Sequence, residues 1–204
     1  MLTRIAGAAY LSNVEISQPS AEPITLAEFK KHARIDGNTE DSDLTIKLLA
    51  ARLRVEDLIG SPLISRQFRL RLDSFPVASA ITLPAYPVTA ITSLEYYFNG
   101  VWSVFSSAFY ALDSDSSPAR VLLQSPANWP TVDFVGGLSP LVSVVYSAGY
   151  ASAALVPAQL KMAVLMLATY WFANRETADV LSIAEVPQAC DVLCATYKRT
   201  RWAI

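Results

Sequence analysis

Hydrophobic and polar positions follow two different periods along this 204-residue chain. From Pro23 to Leu58 the period is helical. Pro23-Ile24-Thr25-Leu26-Ala27-Glu28 reads as a helix start, because the Thr25 hydroxyl can accept from the Glu28 backbone N–H while the Glu28 carboxylate reaches back to that of Thr25. Leu26, Phe29 and Ala33 are spaced for one buried face, and the helix stops near Asp36-Gly37. Asn38 to Asp43 opens a second helix, whose acidic first turn suits the positive end of the helix dipole. Leu44, Leu48, Ala51, Val55 and Leu58 follow at i, i+4, i+7, i+11 and i+14, the clearest amphipathic stripe in the chain. Gly60 supplies the stop and Pro62 prevents continuation.

From about Ser65 the period changes to two. Gln67 to Leu72 alternates polar and apolar, as a half-buried strand does. Ile81–Pro84 and Val88–Tyr97 are further strands, and Asn99-Gly100 is a tight-turn signal from which Val101–Val104 returns. Tyr110–Asp113, Arg120–Leu123 and Leu141–Tyr150 complete the series. Helical spacing resumes with Pro157 as a first helical residue. Leu160, Val164, Leu167 and Trp171 form one face, while Met162, Leu165, Met166 and Phe172 cover others. A helix apolar nearly all round is buried on several sides. Leu165, Met166, Trp171 and Phe172 are therefore candidates for a subunit interface. A polar-leaning linker, 177–186, leads to Pro187 and a last helix carrying Cys190, Leu193, Cys194 and Tyr197 on one side.

The order predicts an α+β fold: a small four-helix core, 23–64 and 151–204, with an antiparallel β unit, 65–150, inserted between helices two and three. Residues 1–22 read as an N-terminal arm, either a partly ordered extension or a segment that docks on a neighbour.

Composition adds an expectation of assembly. Apolar residues make up 52% and charged residues 17%, against a typical ~25% charged. So few charges cover a monomer's surface poorly. The net charge of −2 argues against a general grip on nucleic acid. Two cysteines four residues apart cannot frame a disulfide-stapled fold and suit a reducing compartment. The first twenty residues lack the apolar core of a signal peptide, and the most apolar run, Met162 to Ala173, is too short to span a bilayer.

Candidate chemistry is sparse. His32 is the single histidine, so Ser-His-Asp or Cys-His catalysis would have to use it, yet it sits in the basic stretch Lys30-Lys31-His32-Ala33-Arg34 of a short helix. Cys190 and Cys194 lack the further ligands a zinc site needs. Asp113 and Asp115 resemble a paired-carboxylate site, but Asp-Ser-Asp-Ser-Ser-Pro is ordinary turn composition. No phosphate loop, dinucleotide fingerprint or nucleophile elbow occurs. No catalytic residue, cofactor or metal is expected. Tyr96, Tyr97, Phe98, Trp102, Phe105, Phe109 and Tyr110 could form a stacking platform, although residues 79–150 hold only Arg120 against four acids, where a single-stranded nucleic-acid site needs a positive groove. The basic tail, Lys198, Arg199 and Arg201 beside Trp202, is a candidate anchor for a partner.

Four stretches taken in order carry a resemblance. They are Pro23–Glu28 with His32-Ala33-Arg34-Ile35-Asp36; Val55–Ile64; Tyr146-Ser147-Ala148-Gly149-Tyr150 with Val156–Lys161; and Tyr170-Trp171-Phe172-Ala173-Asn174-Arg175-Glu176. Over about 23–198 the chain resembles the head–tail connector (adaptor) proteins of long-tailed phages and gene transfer agents. The resemblance implies a non-enzymatic virion neck component made in the host cytoplasm. It implies a homo-oligomeric ring, commonly of twelve subunits, under the portal protein. Such a ring extends the DNA channel and gives the next neck or tail-completion protein a docking surface. DNA would pass through the lumen without sequence-specific binding, and no membrane is involved. In related rings the C-terminal segment reaches towards the portal, which would give Lys198, Arg199, Arg201 and Trp202 that role. The alternatives are a carbohydrate- or surface-binding β module of a phage-like particle, recognisable by an exposed aromatic row, and a hydrolase using Asp113, Asp115 or His32.

Overall fold

The computed structural model describes residues 4–5, 8–77, 80–133, 140–174 and 188–198. The fold is α+β, with strands β1 (Arg4–Ile5), β2 (Ala8–Glu15), β3 (Arg66–Leu72), β4 (Ala80–Thr82), β5 (Val88–Phe98), β6 (Val101–Val104), β7 (Tyr110–Asp113), β8 (Arg120–Leu123) and β9 (Val142–Ala148). Its helices are α1 (Leu26–Ala33), α2 (Asp41–Ile59), α3 (Ala158–Ala173) and α4 (Gln188–Ala195). The chain divides into two units. One comprises the described residues within Met1–Ser20 and Ser65–Gly149, the other those within Ala21–Ile64 and Tyr150–Thr200.

The first unit is built from two antiparallel sheets, ordered β1-β2-β3-β9-β5-β6 and β4-β8-β7. Alternation decides which residues meet. Phe68, Leu70 and Leu72 of β3 pair with Tyr146, Val144 and Val142 of β9, and all six are buried in one core with Leu94, Ile81, Leu83 and Val121. The intervening Arg69 and Arg71 stay on the other face. Tyr146 is fully buried, and its hydroxyl is satisfied on both sides. It donates to Asn13 Oδ1 at 2.9 Å and accepts from the Ala85 N–H at 3.3 Å. Asn99 and Gly100 both have positive φ, 49° and 80°, as the β5–β6 hairpin turn requires.

The β strands 3 to 9 lie between α2 and α3 in chain order. Their larger sheet, however, also takes β1 and β2 from ahead of α1, in the segment read from sequence as an arm. β2 runs along β3 from Tyr10 opposite Leu72 to Glu15 opposite Phe68. Ile16 N–H adds a bond to the Gln67 carbonyl at 2.9 Å, and Ser17 Oγ accepts from the Gln67 N–H at 2.8 Å. A strand whose partner lies more than fifty residues away leaves no local signature of its pairing.

The second unit is helical. The Thr25 capping box is present as the sequence predicts: Glu28 N–H donates to Thr25 Oγ1 at 3.2 Å, and the Thr25 N–H donates to Glu28 Oε2 at 2.7 Å. These Thr25 donors hold the Glu28 carboxyl below its ordinary range. Lys30 Nζ reaches both Asn38 Oδ1 and Asp41 Oδ1, each at 2.7 Å, and so ties α1 to the start of α2. Gly60, at φ 69°, ends α2 with its N–H on the Glu56 carbonyl at 2.8 Å. Pro157 proves to be the residue before α3, one position earlier in the helix frame than expected from sequence. Leu44, Leu48, Ala51 and Val55 of α2 share a core with Leu160, Ala163, Val164 and Leu167 of α3 and with Cys190 and Cys194 of α4.

One ion-pair group holds this unit where the chain enters α1 and where it leaves α2. Arg52 is buried, with Nε 2.7 Å from Glu22 Oε2 and Nη1 3.0 Å from Glu56 Oε2. The other Glu56 oxygen, Oε1, accepts the Leu63 N–H at 2.8 Å. The chain entering α1 and the chain leaving α2 are thus fastened to the same two side chains. A buried charge is tolerated only when paired in this way.

Candidate functional site

The residues that could carry chemistry lie apart, and Asp113, Cys190 and Cys194 are committed to structure. Asp113 accepts from Ser116 N at 3.2 Å, from Ser116 Oγ at 2.6 Å and from Arg120 Nη2 at 2.8 Å. The Ser116 and Arg120 hydrogen bonds hold its carboxyl below the usual range, which suits a turn anchor and not a proton donor. Asp115 is exposed and meets Ser114 Oγ at 3.4 Å. His32 is exposed in the last turn of α1. Cys190 and Cys194 are fully buried free thiols, and Cys190 Sγ lies 3.7 Å from the Ala163 carbonyl. The hydrogen bond with Cys194, reinforced by burial, pushes the Cys190 thiol up, so it stays protonated. No group of three or more metal-ligating side chains occurs among the described residues.

The aromatics of the β unit turn mostly inward. Phe105 is the hub, with ring centroids of Phe75, Tyr96, Phe109, Tyr110 and Trp129 between 5.7 and 6.5 Å away. Trp129 stacks on Phe75 at 4.9 Å and 8°. Trp102 packs edge-on against Tyr97 at 5.7 Å and is exposed, as is Phe109. Of the seven aromatics read as a possible platform, Tyr96, Phe105 and Tyr110 thus serve the core, while Tyr97 and Phe98 are half-buried and Trp102 and Phe109 stay at the surface.

The candidate interface residues of α3 share one condition. Leu165, Met166, Trp171 and Phe172 are all half-buried, and Leu165, Trp171 and Phe172 pack against the helical core. Trp171 Nε1 is buried without a hydrogen-bond partner among the described residues. Of the tail candidates, Lys198 lies 3.4 Å from Asp191, while Arg199, Arg201 and Trp202 lie outside the described residues. The Tyr197 hydroxyl donates to Gln159 of α3 and fastens the last described turn to the helical core.

Reading the core stripe of α2 missed a second one. Ile46, Leu49 and Leu53 are 66%, 40% and 50% exposed at i, i+3 and i+7. Their signal was in the sequence, since α2 has apolar residues at two helical phases, but a single amphipathic template absorbs only one.

No family model and no curated protein matches the chain. Solved structures do. A chain in the neck of an empty gene transfer agent (GTA) particle, computed with sixfold symmetry, matches at TM-score 0.76 and 26% identity, covering 95% of this chain and 98% of that one. A chain in the virion of a native GTA particle matches at 0.75 and 25%, with the same coverage. The likeness is to the neck of gene transfer agents. A third match, in the neck of a native GTA particle computed with twelvefold symmetry, gives 0.74 and 26% over the same shares. The resemblance read from four short stretches thus extends over nearly the whole length. Because 98% of each GTA chain is covered, the β unit is as much a part of those GTA chains as the helices are. The virion neck is the setting that these likenesses give, with a structural role. No described helix is long and apolar enough to cross a membrane.

Proposed function

We propose that the chain is a ring-forming head–tail adaptor. It binds the portal, extends the DNA channel and presents the docking surface for the next neck or tail-completion protein. The observation that carries this reading is the end-to-end match to chains in necks computed with sixfold and twelvefold symmetry, since cyclic symmetry repeats one chain around an axis. The low charge content supports it, because subunits that cover one another need fewer charges on their surface. A net charge of −2 suits a channel through which DNA slides, where many cationic phosphate contacts would hold it. The reading includes no catalytic step. It gives Leu165, Met166, Trp171 and Phe172 to subunit contacts and Lys198, Arg199, Arg201 and Trp202 to the portal.

Light scattering on a sizing column, with and without the cognate portal, tests it. Co-elution with the portal ring at near one-to-one subunit stoichiometry is expected. A chain that stays monomeric at every concentration and ignores the portal would refute it. Removing residues 199–204 keeps the Tyr197–Gln159 contact and should abolish portal binding alone; retained binding would remove Arg199, Arg201 and Trp202 from this role.

A further inference from the structure

The helical unit carries two outward apolar faces, and they lie on different helices. On α2, Ile46, Leu49 and Leu53 stand exposed while Leu44, Leu48, Ala51 and Val55 are buried. Successive helical positions turn by about 100°, which sets the exposed stripe roughly opposite the buried one. On α3 the buried face is Leu160, Ala163, Val164 and Leu167. Opposite it lie Ala158, Met162 at 42% exposure, and the half-buried Met166. The buried faces of α2 and α3 meet in one core. The two backs therefore look away from each other, on opposite sides of the packed helix pair.

We infer that these two backs are the lateral faces of the ring: the α2 stripe of one copy packs on the Met162 side of α3 in the next. The inference rests on the adaptor reading and names the surfaces through which it works. The occupant is a second copy of this chain, because the matched neck chains lie in particles computed with cyclic symmetry. A contact between two different patches of identical subunits is heterologous, and it closes into a ring when the rotation closes. A single self-complementary patch would stop at a dimer. Two apolar patches on opposite sides of one rigid helix pair are what a head-to-tail ring needs. Flexible methionines on the receiving face adapt to the branched residues of α2.

Two charge insertions and their mixture test the assignment, with assembly followed on the portal ring and by native mass spectrometry. The variants Leu53→Glu and Met162→Glu each replace an exposed side chain, so the fold, checked by circular dichroism, is retained. Each variant alone should lose ring assembly. Mixed in equal amounts, they should form one-to-one pairs and nothing longer, because the intact α2 face of one meets the intact α3 face of the other. Val101→Glu, on an exposed position of β6, should assemble like the wild type. A ring formed by either variant, self-pairing of Met162→Glu, or a mixture that stays monomeric would each overturn the assignment while leaving the adaptor reading intact. Failure of the wild-type chain to assemble with or without the portal would instead overturn the adaptor reading, and this inference with it.

Discussion

The two units of this chain treat apolar residues differently. In the β unit, period-two alternation places large side chains between two sheets, and the residues between them on β3 are arginines. In the helical unit, α2 and α3 keep apolar residues on the core side and on the back. Both units expose apolar side chains, but the β unit leaves them on β2, β6 and loops, as at Val14, Val77, Val101 and Val104, whereas α2 lines up Ile46, Leu49 and Leu53 as one stripe along a helix, the face we assign to a neighbouring copy. On that assignment, the comparison teaches that assembly information sits where surplus apolar residues line one face of a helix.

Four single substitutions and one double replacement would break or sharpen that contrast. The largest loss is expected from Glu56→Ala in the helical unit. It strips Arg52 of one buried partner and leaves the Leu63 N–H unpaired, at a cost of about 3–5 kcal/mol, read by urea denaturation. Replacing Arg52 and Glu56 together by Met and Leu should recover the part due to the buried Arg52 charge, while the Leu63 N–H stays unpaired. Leu70→Ala, fully buried in the β core, comes next at about 2–5 kcal/mol, and ring assembly by the remaining folded protein should be unchanged. Thr25→Ala removes the capping box at a cost of about 1 kcal/mol. It also alters the acid limb of stability. The folded Glu28 carboxyl titrates below its unfolded value, so its contribution is present above about pH 4.3 and is lost as the pH falls through the lower folded value. The Thr25→Ala variant keeps the backbone N–H that holds the Glu28 carboxylate and loses only the hydroxyl, so it should reduce that acid dependence without abolishing it in a pH series of thermal melts. Smallest of all, Leu53→Ala should move monomer stability by no more than about 0.5 kcal/mol. Its effect should appear in assembly alone, and a large loss of monomer stability would place Leu53 in the core and undo the contrast.

Much of this fold was readable because its signals are local. Thr25 and Glu28 are three residues apart, Asn99-Gly100 makes a turn by itself, and the α2 core stripe repeats within one helix. What stayed hidden depends on distant pairing. Nothing in Ala8–Glu15 shows that β3 lies more than fifty residues downstream, and Asn13 gives no hint that its amide holds the Tyr146 hydroxyl. The sequence analysis singled out neither Arg52 nor Glu56, and only the folded chain shows this i,i+4 pair buried. The candidate site was legible in one half. The apolar character of α3 pointed to an interface, while the back of α2 was masked by the stronger stripe beside it.

The order in which β2, the helices and β3 follow one another also governs how the chain can be made. β1 and β2 leave the ribosome first and must wait through α1 and α2 for β3, and the sheet is not complete until β9, near residue 148, has emerged. By then α1 and α2 have themselves been waiting for α3, whose side chains complete their core. The described strands are all present once residue 148 has emerged, but the helical core is not complete until α3 and α4 have followed. A nascent chain arrested in the β region would expose both an unfinished sheet and an uncovered helix pair, so ring subunits become available for assembly only as whole chains.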